Sequence, residues 1–137
     1  MLSGALTGTL LQTLAWGVDA RRSLEIGMFT DFSALLLAAA LPDDGELITC
    51  DLDPEAIAIA RTFFGRSPDG KKISVREGPA LDTLKTLSGP FDLIFIAADK
   101  DNYEAAIVAF NEHVRTDPRV SHVLLAARDG VLLVRRR

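Results

Sequence analysis

Apolar positions change their spacing repeatedly along this chain. Leu6, Leu10 and Leu14 recur every fourth residue with Leu11 beside them, the spacing of one helix face packed on a domain, and Arg21 and Arg22 close that segment. Arg22–Met28 then predicts a short strand with Leu24 and Ile26 facing the core. Ser33–Leu41 predicts an apolar helix, and Pro42-Asp43-Asp44-Gly45 a turn. Leu47–Leu52 predicts a second strand, β-branched at Ile48 and Thr49. Asp53-Pro54-Glu55 opens the next helix, with Asp53 as cap, Pro54 at its first position, and Ile57, Ala60, Phe63 and Phe64 as its buried stripe. Ser67–Lys72 is a polar turn, and Ile73–Glu77 predicts a third strand. Leu81, Leu84 and Leu87 mark a short helix stopped by Gly89-Pro90. Phe91–Ala98 is so continuously apolar that it predicts a fourth strand buried on both faces. A helix over Asp101–Arg115 follows and ends at Asp117-Pro118. Strands Val120–Ala127 and Val131–Val134 flank the turn Arg128-Asp129-Gly130.

The order is a helix, four strand–helix units and a hairpin. Strands separated by helical patterns imply an α/β fold with a mostly parallel sheet and right-handed crossovers, ending in an antiparallel pair. With no repeat, linker or low-complexity tract, residues 1–137 read as a single domain.

Composition narrows the partners. The 137 residues are 48% hydrophobic, and 15 Lys and Arg stand against 19 Asp and Glu for a formal charge of −4. That balance argues against a nucleic-acid groove or an anionic membrane surface. Arg135, Arg136 and Arg137 form the one basic run and read as a solvated tail. The first 18 residues carry no basic residue ahead of their apolar stretch and no run long enough to span a bilayer. The single Cys50 forms no internal disulfide, and with two histidines it builds no thiol-rich zinc site. A cytoplasmic protein is expected. Trp16 and Phe29 read as packing residues, and neither His113 nor His122 has a nucleophilic partner in a recognisable motif.

Open α/β sheets bind ligands beyond the C-terminal ends of their strands, where the strand order reverses. Four segments fall there. Glu25-Ile26-Gly27-Met28-Phe29-Thr30-Asp31 leads from the first strand into a helix, and Gly27 permits a close approach or an unusual backbone angle. An ordinary strand–turn–helix junction carries the same residues. The dinucleotide fingerprint and the P-loop are both absent. At the end of the second strand, Asp51 offers a carboxylate suited to two ribose hydroxyls, or simply a solvent-facing acid. Glu77-Gly78-Pro79-Ala80 leaves room for a flat base, or is a plain turn. Ala97-Ala98-Asp99-Lys100-Asp101 ends the fourth strand. Lys100 is a candidate base only if its pKa falls, and the flanking Asp99 and Asp101 favour its charged form.

Together, Leu24-Glu25-Ile26-Gly27, Cys50-Asp51, Asp53-Pro54-Glu55-Ala56, Phe91 to Ile96 and the stretch from Phe110-Asn111-Glu112 to Gly130 resemble the cation-dependent O-methyltransferase family, which includes the catechol and caffeoyl-coenzyme A O-methyltransferases. The resemblance implies the Rossmann-like three-layer sandwich of S-adenosylmethionine-dependent methyltransferases, its mostly parallel sheet ending in the antiparallel hairpin. It implies that Glu25 and Gly27 meet the methionine part of the cofactor, Ser33 its carboxylate and Asp51 its ribose. Gly78 and Ala80 border the adenine, Asp99 lies close to the cofactor, and Lys100 is the catalytic lysine that deprotonates an acceptor hydroxyl. A small, catechol-like acceptor and a divalent cation, usually magnesium, belong to the same family pattern.

The chain departs from that pattern. Ala97 stands where the family has a metal-ligand aspartate, and an alanine methyl does not coordinate magnesium. The family's further helix, glycine turn and strand ending in Asp-Asn have no counterpart, so one inner strand is expected to be missing and no metal ligand is assigned. The resemblance begins at about Leu2, without the family's N-terminal extension. Met28 and Asp31 replace threonine and glycine, and Asp31 brings a carboxylate toward that of the cofactor. Two repairs of the missing strand are open: the hairpin moves beside strand four, or a second copy covers the exposed edge as a homodimer. The expected function is therefore an S-adenosylmethionine-dependent O-methyltransferase with weakened chemistry. The alternative is an inactive cofactor-binding or interaction protein on the same fold. A nucleotide-dependent dehydrogenase, which Asp51 alone permits, is opposed by the spacing around Gly27.

Overall fold

Alternating short strands and helices bury a parallel sheet only if the helices return each strand to the same edge-on direction. The computed structural model describes residues 5–30, 32–97, 112, 115–125 and 131–136. The chain divides into two compact units, Met1–Ala98 and Asp99–Arg137.

In the first unit, helix α1 (Ala5–Gly17) precedes β1 (Arg22–Ile26), α2 (Phe32–Ala40), β2 (Glu46–Asp51), α3 (Pro54–Phe64), β3 (Ile73–Glu77), α4 (Ala80–Thr86) and β4 (Leu93–Ile96). A 3-10 turn over Pro68–Lys72 leads into β3. The four strands form one sheet in the order β3-β2-β1-β4, every pair parallel, with Glu25 level with Thr49 and Phe95. The order reverses between β1 and β4, which marks the switch point.

The second unit contains β5 (Val120–Leu125) and β6 (Val131–Arg136), which pair antiparallel from Val120 opposite Arg136 to Leu125 opposite Val131. This corrects the expected architecture. The main sheet is entirely parallel and does not end in the hairpin, because β5 and β6 hydrogen-bond to each other as a separate two-stranded sheet. Arg135 and Arg136 are likewise not a free tail: they continue β6 opposite Ser121 and Val120. The expected helix over Asp101–Arg115 lies mostly outside the described residues.

The larger core cluster joins α1, α2 and α3 to the sheet through Leu11, Leu37, Ile57, Phe64 and Leu47. A smaller one gathers Leu24, Ile48 and Cys50 against Ala80 and Leu87. Several helix faces are rotated from expectation. In α1 the buried positions are Gly8, Leu11 and Ala15, while Leu6 and Trp16 are exposed. Gly8 is the reason: a Cβ there would land on the Leu36 side chain and lie 3.2 Å from Phe32, so α1 meets α2 through its smallest residue. In α3 Ala56 takes the buried place expected of Phe63, whose exposed ring lies 5.9 Å from the Arg66 guanidinium. Strand β4 is shorter than its apolar run, and Ile94 is 53% exposed, because β4 ends the sheet order and only its Leu93–Phe95 face packs on the helices. The run is cut short at its start by Asp92, whose carboxylate accepts the amides of Arg21 and Arg22, both at 2.9 Å.

Lys72 connects the layers in an unexpected way. Its ammonium is buried and donates to the carbonyls of Ala38 (3.1 Å) and Leu41 (2.8 Å) and to Asp69 (2.7 Å). It thereby satisfies carbonyls at the C-terminal end of α2, where a positive charge is favoured. Replacing it by Met removes the donor from the Leu41 carbonyl and the charge partner of Asp69, and leaves the Ala38 carbonyl only the Leu41 amide. Lys72→Met is expected to lower the unfolding free energy by about 3 kcal/mol in urea denaturation. A loss under about 1 kcal/mol would show that the ammonium is dispensable.

Candidate functional site

The C-terminal ends of the strands are tied to one another by main-chain hydrogen bonds. Gly27 and Met28 donate to the Cys50 carbonyl at 2.9 and 3.3 Å, Gly78 donates to the Asp51 carbonyl at 2.9 Å, and Ala97 donates to the Ile26 carbonyl at 2.8 Å. Gly27 and Gly78 turn the chain away from its strands with φ of 89° and 120°. At Gly78 nothing lies within 4 Å of where a side chain would begin.

Asp51 sits at the centre of these turns. One carboxylate oxygen accepts the Phe29 amide at 2.6 Å and the other accepts the Asp53 amide at 3.0 Å. A carboxylate offers about four acceptor positions, so each oxygen keeps one free. Asp53 caps α3 as expected, accepting from Glu55 at 2.9 Å and Ala56 at 3.4 Å. Phe29 is 43% exposed and holds a left-handed φ of 53°. Met28, by contrast, turns into the core.

Behind the turns lies Glu25, with none of its surface exposed. Thr49, its register partner on β2, donates to Oε2 at 2.7 Å, while Oε1 has no hydrogen bond of good geometry and only the nearby Ser33 hydroxyl favours its charge besides Thr49. Burial pushes the Glu25 carboxyl up to about 7, the Ser33 and Thr49 hydroxyls pull the other way, and the nearby Asp51 adds to the rise. Ser33 is buried in the first turn of α2. Ala80 opens α4 and packs beside Cys50, whose thiol burial likewise pushes upward.

Of the expected site residues, Gly27, Asp51 and Gly78 are therefore adjacent, with Glu25 and Ser33 beneath one side and Ala80 after the third turn. Asp31, Asp99 and Lys100 lie outside the described residues. Ala97 follows β4 directly and is exposed. Among the described residues no three His, Cys, Asp or Glu side chains stand close enough together to hold a metal ion. Sequence reasoning missed Phe29 and Thr49. The second was detectable, since a glutamate inside an apolar strand requires a neighbour that can bond it; a left-handed phenylalanine leaves no such signal.

An all-parallel sheet in the order β3-β2-β1-β4, with an acidic residue ending its second strand and glycine turns beside it, defines a Rossmann-like cofactor-binding fold. Comparison with known proteins takes this a step further: residues 1–106 match the O-methyltransferase family, and the chain belongs to it. It is 38% identical over 109 residues to a caffeoyl-CoA O-methyltransferase of Petroselinum crispum, covering 75% of this chain and 45% of that protein. It is 43% identical over 104 residues to a catechol O-methyltransferase of Mycobacterium tuberculosis, covering 75% and 47%. The chain thus spans about half the length of these relatives. An SAH-bound methyltransferase structure from Podospora anserina superposes with a TM-score of 0.86 at 27% identity, covering 99% of this chain and 80% of that one. An O-methyltransferase from Bacillus cereus in complex with SAH gives 0.87 at 25%, covering 99% and 83%. No described helix is long and apolar enough to cross a membrane.

Glu25 makes stability depend on pH. Its carboxyl titrates near 7 when folded and near 4.5 when unfolded, so the folded state binds the proton more tightly between those values. The Glu25 contribution to stability is greatest below about 4.5 and is lost as pH rises through 7. Glu25→Gln removes the charge and keeps the shape. In denaturant titrations the variant should match the parent at pH 4.5 and exceed it by about 3 kcal/mol at pH 8. Equal stabilities at both pH values would contradict this account of the buried carboxyl.

Proposed function

We propose that this chain binds S-adenosylmethionine across the tips of β1, β2 and β3 and is the cofactor half of an O-methyltransferase for a small hydroxylated, catechol-like acceptor, with weakened transfer. The observation that carries this reading is the Asp51 carboxylate, held by two amides at the junction of the strand ends with one acceptor position left on each oxygen. Vicinal hydroxyls of a ribose match that arrangement. The open space beside Gly78 suits a flat base next to it. Glu25 supplies a second point of fit: its buried Oε1 lacks a partner, and an ammonium group near the Gly27 turn would compensate the buried carboxyl.

When bound, the cofactor supplies an electrophilic methyl group. The residues of this chain hold its adenosyl part and exclude water from the buried side of the turns. Removal of the acceptor's hydroxyl proton is assigned to Lys100, and a place close to the cofactor to Asp99, on the family resemblance of the sequence. A second reading, cofactor binding without transfer, is favoured by Ala97. It brings a methyl to the tip of β4, where the resemblance puts a cation-binding carboxylate, and magnesium needs oxygen ligands.

Two measurements separate these readings. Calorimetric titration with S-adenosylmethionine should show binding, and Asp51→Asn should weaken it about tenfold. An absence of heat at millimolar cofactor would overturn the binding proposal. A methyl-transfer assay on a catechol should show slow turnover that magnesium does not raise. A magnesium-dependent gain would overturn the weakened reading, and no turnover at all would leave the non-catalytic one.

A further inference from the structure

The Phe29 backbone stands out among the residues around the strand tips. A bulky side chain at a φ of 53° occupies a region that disfavours it by about 1–3 kcal/mol. The residue is 43% exposed, so no closed core locks it in that conformation. What the conformation does accomplish is a 2.6 Å hydrogen bond from the Phe29 amide to Asp51 across the gap between the first and second turns. The other Asp51 oxygen is fixed from its own loop by Asp53. Two amides from two different loops set the plane of the carboxylate, and the Phe29 amide is the one that comes from the β1 side.

We propose that Phe29 is a positioning residue whose left-handed main chain, rather than its ring, orients the Asp51 carboxylate toward the two ribose hydroxyls of the cofactor. The proposal rests on the ribose role of Asp51 given above. Without the Phe29 amide, one carboxylate oxygen is free to rotate toward solvent, and the vicinal hydroxyls lose a pre-set pair of acceptors. A charge-assisted hydrogen bond of this length belongs to the stronger class.

The test compares affinity for 5′-methylthioadenosine and its 2′-deoxy analogue, so that the contribution of the ribose hydroxyl is read directly. Replacing the Phe29 amide by an ester, with phenyllactic acid at position 29, deletes the donor and keeps the ring. The preference for the ribose compound should then fall about tenfold. Phe29→Gly deletes the ring, keeps the donor and makes the left-handed angle inexpensive, so the preference should persist. Phe29→Val should behave like the ester, because a β-branched residue resists that angle. If the ester folds poorly, the contrast between Gly and Val carries the same decision. The proposal is overturned if the ester and Val variants keep the parent's preference, or if Gly loses it as fully as they do. A parent protein that binds both nucleosides equally would instead overturn the ribose reading of Asp51, and the proposal with it.

Discussion

Three backbone amides converge on Asp51: Gly78 on its carbonyl, and Phe29 and Asp53 on its carboxylate. One residue thereby joins the turns that leave β1, β2 and β3. Parallel strands bring such turns side by side at one end of a sheet, but they do not connect them. Here the connection is made by main-chain donors. The opposite end of the sheet is organised differently. There Arg22 bonds the Ser88 carbonyl and Glu46 and stacks 4.4 Å from the Phe91 ring, while Asp92 ties the starts of β1 and β4. Side chains close one end, and backbone groups shape the other.

Glu25 is the buried acid of an interior that also holds Ser23, Ser33, Thr49 and Lys72. Together with the neighbouring Ser23 hydroxyl it leaves a buried polar atom unbonded on the α2-facing side of β1. Interiors seldom retain such atoms, because each forfeits its hydration without recompense. Retaining a carboxyl there makes sense if another group completes its bonding when the site is filled.

Much of this fold is legible in the sequence because the responsible forces are local. Ile73–Glu77 is found as read, and β1 and β2 differ from expectation by only a residue or two at their ends, since turn residues and β-branched runs bracket them. Asp53 with Pro54 announces the start of α3. The misreadings concern long-range packing. The buried side of α1 depends on where Gly8 meets Leu36, and the exposure of Ile94 depends on the place of β4 in the strand order. The separate pairing of β5 with β6 is of the same sort, because an Asp-Gly turn specifies a hairpin without specifying its neighbour. At the site, residue types pointed to Gly27, Asp51 and Gly78. The left-handed Phe29 and the buried ammonium of Lys72 are products of tertiary geometry, and no spacing encodes them.

The glycine contact between α1 and α2 reaches further than its position implies. Helix α2 begins at Phe32 and carries Ser33 in its first turn, directly after the segment that supplies the Phe29 amide. A side chain at Gly8 would press first on the end of the Leu36 side chain, which can swing aside, and then on the Phe32 ring at the start of α2. The closeness of α1 to α2 is thus set by one residue without a side chain, against the turn of α2 that carries the buried Ser33.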